Sequence, residues 1–105
     1  MRLSPKEVKA IVDVFRPYLE PVSGELFLFG SRADDSKLGG DIDLLVVVDG
    51  ALRETLRDQT VRIRDQIHQR IGEQRIDITF TSREGMREDP FLRTISGVKL
   101  FPTDE

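Results

Sequence analysis

At 105 residues, with 38% hydrophobic and 33% charged side chains, the chain has the balance of one globular domain spanning 1–105 rather than a disordered tract. A formal net charge of −3 leaves no basic excess to hold a nucleic-acid backbone, and the absence of cysteine excludes disulfides, cysteine–zinc sites and thiol catalysis. The single histidine, His68, argues against a histidine-rich zinc site; no stretch has the apolar length to span a bilayer and the N-terminus lacks a signal-peptide core, so a cytoplasmic protein is expected.

Ser4-Pro5-Lys6-Glu7 has the form of a helix start, with Ser4 as cap, Pro5 in the first turn and Glu7 placed for a capping box. Val8, Ile11, Val12, Phe15 and Leu19 follow at helical spacing, and Pro17 is expected to end or bend that helix near Arg16. Glu25 to Phe29 is an apolar run between Gly24 and Gly30, which predicts a buried strand. Ser31 to Gly40 is polar and reads as a loop that can open with a helical turn. Asp41 to Val48 (DIDLLVVV) is the strongest strand signal.

Ala51 to Ile71 predicts the longest helix, buried along Leu52, Leu56, Ile63, Ile67 and Ile71 and stopped by Gly72. Its arginines lie mostly off that stripe, on what is expected to be a solvated face, with His68 at the surface. Arg75 to Thr81 alternates, Ile76, Ile78 and Phe80 facing one way and Asp77 and Thr79 the other. Phe91 to Ile95 predicts a short helix, and Val98 to Phe101 a last edge strand. Helix, strand, strand, helix, strand is the order of an α/β sandwich with a mixed sheet.

Aspartate is disfavoured in strands, which draws attention to three of them. Asp41 and Asp43 are two apart, so both leave the same face of their strand. At close range they repel unless protonated or bridged by a cation, and a hard ion with oxygen ligands, Mg²⁺ above all, suits them. Asp77 lies on the polar face of its own strand; if the two strands pair, it completes a three-carboxylate cluster. Such a cluster can hold two divalent ions roughly 3.5–4 Å apart, the arrangement used for displacement at phosphorus. Gly30 permits close backbone approach to a phosphate, Ser31 follows a strand where amides and hydroxyl can point at phosphate oxygens, and Arg32 adds a planar cation.

Gly30-Ser31-Arg32-Ala33 followed by Gly40-Asp41-Ile42-Asp43-Leu44-Leu45-Val46 resembles the signature of the DNA polymerase beta-like nucleotidyltransferase superfamily. Within it, the chain is most similar to the minimal nucleotidyltransferases, among them the antitoxin partners of HEPN-domain toxins. The resemblance implies the nucleotidyltransferase fold, an α+β arrangement with a mixed sheet and helices mainly on one face. It implies that Gly30 and Ser31 bind the triphosphate of ATP or another NTP, that Arg32, in the same nucleotide-binding motif, contacts phosphate or the acceptor, and that Asp41 and Asp43 ligate two Mg²⁺ ions. Asp77 would hold the catalytic ion and take the acceptor hydroxyl's proton. Nine residues separate Ser31 from Asp41, one fewer than in many members, and Gly40 stands where serine or threonine is frequent.

The expected activity is therefore transfer of a nucleoside monophosphate, AMP from ATP, onto a hydroxyl such as a tyrosine of a HEPN-type toxin. A small-molecule acceptor is the alternative within enzymology. Outside it stands a nucleotide-binding antitoxin that neutralises its partner by occlusion. A domain this small has little material for a second lobe, so acceptor binding points to a protein partner or an oligomer. A DNA-binding repressor has neither a recognition helix nor a basic stripe to support it. Taken singly, the residues also have plainer readings: Asp41 and Asp43 as solvated strand-edge residues, Asp77 as a surface residue, Ser31 as a helix cap.

Overall fold

A computed structural model of the chain describes residues 2–33, 40–89 and 97–102. Helix α1 (Pro5–Leu19) leads into a 3₁₀ turn (Glu20–Val22) and strand β1 (Glu25–Phe29). A second 3₁₀ turn (Gly30–Ala33) precedes β2 (Ile42–Val47). Helices α2 (Gly50–Asp58) and α3 (Thr60–Ile71) then cross to β3 (Ile76–Thr81), followed by α4 (Arg83–Glu88) and β4 (Val98–Phe101). The strands form a mixed sheet in the order β3-β2-β1-β4, with β2 and β3 parallel and β1 antiparallel to both its neighbours. Parallel neighbours cannot be joined by a tight turn, and α2–α3 supply the long crossover that joins them.

The period-2 alternation of the strands builds two unlike faces. Leu26 and Leu28 of β1, Ile42, Leu44 and Val46 of β2, and Ile76 and Phe80 of β3 form one core with Ile11, Phe15 and Leu19 of α1, Leu56 of α2 and Ile63 and Ile67 of α3. Fully burying one such side chain contributes about 1.5–3 kcal/mol. The intervening residues of β2 are Asp43, Leu45 and Val47; the last two are also buried but stand outside that core cluster, on the opposite face. The helices therefore pack mainly on one face, as the resemblance implies.

The capping box at α1 forms: Ser4 Oγ accepts from the Glu7 amide at 3.1 Å, and Glu7 Oε1 accepts from the Ser4 amide at 3.0 Å. Three expectations need correction. Helix α1 continues through Pro17 to Leu19. The fully buried Phe15 and Leu19 dock its last two turns, and the Gly24 amide donates to the Leu19 carbonyl at 2.9 Å, which together outweigh the backbone bond that proline removes.

The predicted 51–71 helix is two helices broken at Gln59, whose ψ of 2° leaves the helical basin. Thr60 Oγ1 donates to the Arg57 carbonyl at 2.7 Å at the break. Leu56 and Ile63 are seven apart, a spacing that a continuous helix also satisfies, so periodicity hides the break. Helix α4 was not expected; its signal is Ser82, whose Oγ accepts from the Gly85 amide at 3.0 Å as a helix cap. The expected helix at Phe91–Ile95 lies outside the described residues. Among those described, no helix is long and apolar enough to cross a membrane.

Candidate functional site

The register of the sheet sets the site. Asp43 on β2 is the direct partner of Phe29 on β1 and of Asp77 on β3. Register partners project to the same face, so Asp43 and Asp77 stand side by side on the sheet face away from the main core. Asp41 lies two residues before Asp43, just ahead of the strand. The pairing expected from sequence between the 41–48 and 75–81 segments is thus present, and the three carboxylates share one corner of the sheet.

Gly30 closes this corner from the β1 side. Its φ of +72° is open to glycine at little cost, and a Cβ placed there would strike the Asp43 carboxylate. The backbone turn therefore comes up against Asp43 itself, with Ser31 next in the same 3₁₀ turn. Asp43 has its pKa raised, first by burial and then by the charges of Asp77 and Asp41; Arg75 opposes the rise. A half-buried carboxylate facing two others carries a repulsion that a cation would relieve.

Arg75 supplies part of that cation. Its Nε is 3.3 Å from Asp41 Oδ2 and 4.0 Å from Asp77 Oδ2. As they are placed, no group of three or more histidine, aspartate or glutamate side chains among the described residues forms a metal site. The donor chemistry nevertheless fits a hard divalent ion. The donors are carboxylate oxygens, one of them lying against a turn where a Cβ would leave no room. Bringing them onto one ion requires side-chain rotation and withdrawal of the guanidinium between them.

Arg32 has a different place from the one the motif suggests. Its Nε donates to the Gly40 carbonyl at 3.2 Å, Nη1 to the Arg2 carbonyl at 3.1 Å and Nη2 to Gln74 Oε1 at 3.2 Å. It ties together the residue before Asp41 and the residue before Arg75, and so braces the approaches to both carboxylate strands. Gln74 is the centre of this brace, because its Nε2 donates to Glu7 Oε2 at 2.9 Å. That bond, followed by the Ser4 amide, holds the Glu7 carboxyl below its usual range.

Two α3 side chains complete the support. Arg64 Nε donates to the Ile76 carbonyl at 3.1 Å, and His68 Nε2 bonds the Gln74 carbonyl at 2.8 Å. These residues belong to the helix face expected to be solvated, yet both are half-buried and fix the segment that leads into Asp77. Sequence reasoning missed Gln74 and Arg75 altogether. Arg75 had a signal, being a cation two residues before an aspartate on an alternating strand; Gln74 had none.

With this geometry in view, comparison with known proteins is informative at the level of family. Residues 8–95 match the family model described as "Nucleotidyltransferase domain". The chain also resembles a solved structure from Sulfolobus solfataricus, provisionally assigned as a nucleotidyltransferase. The identity is 19% and the TM-score 0.42, over 94% of this chain and 89% of that one. No curated protein matches.

Proposed function

The chain belongs to the nucleotidyltransferase domain family, and from that premise we propose that it transfers a nucleoside monophosphate, AMP from ATP, onto a hydroxyl acceptor with Mg²⁺ as cofactor. The observation that carries this reading is the in-register placement of Asp43 beside Asp77, against the Gly30 turn. The acceptor oxygen forms a bond to the α-phosphorus, the bond to the β-phosphate oxygen breaks, and pyrophosphate leaves with the electron pair. Gly30 and Ser31 receive the triphosphate on the turn between β1 and β2. Asp41, Asp43 and Asp77 would hold the cations that neutralise it, and Asp77, the most exposed of the three, would take the acceptor's proton. Divalent ions bound there would lower the hydroxyl's pKa and offset the charge developing on the leaving group. Arg32 acts chiefly as the brace described above, since touching phosphate would require it to release a protein acceptor.

The acceptor is proposed to be a tyrosine on a HEPN-type toxin, with this chain as its antitoxin, on the strength of the signature's resemblance. The test incubates the protein with Mg²⁺, each NTP and a HEPN-domain partner, and measures the partner's intact mass. A gain of one nucleoside monophosphate, lost in Asp43→Asn, is expected. Transfer to small hydroxylated molecules but never to the partner would move the acceptor assignment to a metabolite.

One observation favours a second reading. Arg75 already pairs with two of the carboxylates, which suits a nucleotide-binding domain that neutralises its partner by occlusion. That reading wins if Asp43→Asn protects against the toxin as well as the parent chain does.

A further inference from the structure

Arg75 is held where its charge matters and its side chain remains free to move. Its carbonyl accepts from the Ile42 amide at 3.0 Å, which fixes its backbone beside the Asp41–Asp43 segment. Its side chain is 75% exposed and reaches Asp41, 41% exposed, and Asp77, 52% exposed. Both contacts use Nε, at 3.3 and 4.0 Å, rather than the parallel two-bond fork that makes arginine–carboxylate pairs strong. Exposed pairs of such geometry are weak and exchange readily with other cations.

We propose that Arg75 is an internal counter-ion for the carboxylate corner, pairing with Asp41 and Asp77 in the metal-free protein and swinging into solvent when a divalent cation takes its place. This rests on the reading of Asp41, Asp43 and Asp77 as a cation site. Three carboxylates with no cation would repel one another and splay. Arg75 holds two of them near their working positions and limits how tightly a metal binds. Its departure leaves the carboxylates free to turn onto the ion, which they do not do as placed. Arg75 is in this sense a positioning residue that sets metal affinity.

The test uses the full chain and Mn²⁺ or Mg²⁺ without nucleotide. Mn²⁺ titration by calorimetry should show Arg75→Gln binding about two- to fivefold more tightly than the parent chain, the factor expected for loss of an exposed competing pair. Arg62→Gln, which removes the same charge from an exposed position on α3, should leave the affinity unchanged. In the parent chain, the Arg75 Nε–Hε resonance should move to the position of a free guanidinium as Mg²⁺ is added. It should sit close to that position in Asp41→Asn before any metal is added. Equal or weaker binding by Arg75→Gln, equal tightening by Arg62→Gln, or a resonance that stays put at Mg²⁺ saturation overturns the counter-ion role while leaving the cation site standing. Mn²⁺ binding by neither protein overturns both.

Discussion

The two ends of the sheet carry similar numbers of charges and use them differently. At the end formed by the start of β1 and the exits of β2 and β3, Glu25 meets Lys99 at 3.2 Å and Arg83 at 3.7 Å, and Arg83 reaches Asp49 at 3.9 Å. Arg83 also donates to the Ser23 carbonyl at 2.7 Å. Two acids face two bases there, and a cleft of about 470 Å³ opens among them, lined in part by Glu25, Arg83 and Lys99. At the other end, Asp41, Asp43 and Asp77 face Arg75, and the pKa of Asp43 is raised, first by burial and then by the charges of Asp77 and Asp41. The cleft lies at the balanced end, where Glu25 and Asp49 each have a basic partner. The unbalanced end is where an added cation would gain most, and it holds the Gly30-Ser31 and Asp41-Ile42-Asp43 motifs.

The largest expected effect breaks the unbalanced end by chemistry alone. Asp43→Asn should reduce nucleotidyl transfer at least about a hundredfold, in line with removal of a group that stabilises developing charge. Single-turnover assays at saturating Mg²⁺ and NTP check this. Glu25→Gln at the balanced end should leave the rate unchanged. A comparable loss in both variants would show that the two ends do not differ in function.

Glycines sharpen the same contrast. Gly30→Ala forces a side chain into positive φ and against the Asp43 carboxylate, and should cost about 1–3 kcal/mol in urea unfolding. Gly24→Ala, at the balanced end, would push its Cβ to 2.8 Å from Leu19 Cδ2 and 3.0 Å from Val48 Cγ1, a loss of about 1–3 kcal/mol by overpacking. The two variants should therefore unfold alike. Once temperature is lowered to keep both folded, Gly30→Ala alone should remain defective in transfer.

The contrast between the ends also explains what the sequence made legible. The alternation in RIDITFT placed Ile76, Ile78 and Phe80 on one face and Asp77 on the other, and the two-residue spacing put Asp41 and Asp43 on one face of DIDLLVVV, because a strand's period of two is a property of the backbone. The apolar run after Asp43 did not say which of its residues face the helices, and both sides of it are buried. The break at Gln59 stayed hidden because Leu56 and Ile63 satisfy one helix or two. The candidate site was legible as far as its carboxylates, a residue type that strands avoid, and Gly30, whose place between a strand and Ser31 suits close backbone approach. Its supports were not, since the bonds from Arg32 to Gly40 and Gln74, and from Gln74 to Glu7, join residues 8, 42 and 67 apart. Spacing carries no trace of such contacts.

A smaller effect separates the electrostatics of the site from its chemistry. Asp43 has a folded-state pKa above its unfolded value, so the folded state binds the extra proton, and stability is lost as pH rises through the window between the two. Above that window the ionised carboxylate destabilises the metal-free fold. Asp43→Asn should then melt higher than the parent chain at neutral pH in EDTA, with the difference closing as pH falls to the ordinary aspartate range. Saturating Mg²⁺ should raise the melting temperature of the parent chain more than that of the variant. A variant that melts lower at neutral pH in EDTA would mean that Asp43 is well compensated and the two ends are alike.

The smallest effect belongs to the balanced end. Glu25→Gln removes a carboxylate that Lys99 and Arg83 share across partly exposed contacts, and pairs of that kind contribute about 0–1 kcal/mol. Added salt screens such pairs, so the loss should shrink between low ionic strength and 0.5 M NaCl. Unlike Asp43→Asn, this substitution takes the shared carboxylate from Lys99 and Arg83 and should lower stability rather than raise it. The two variants delete the same charge from opposite ends of one sheet, so the opposite signs of their stability changes measure the difference between those ends directly.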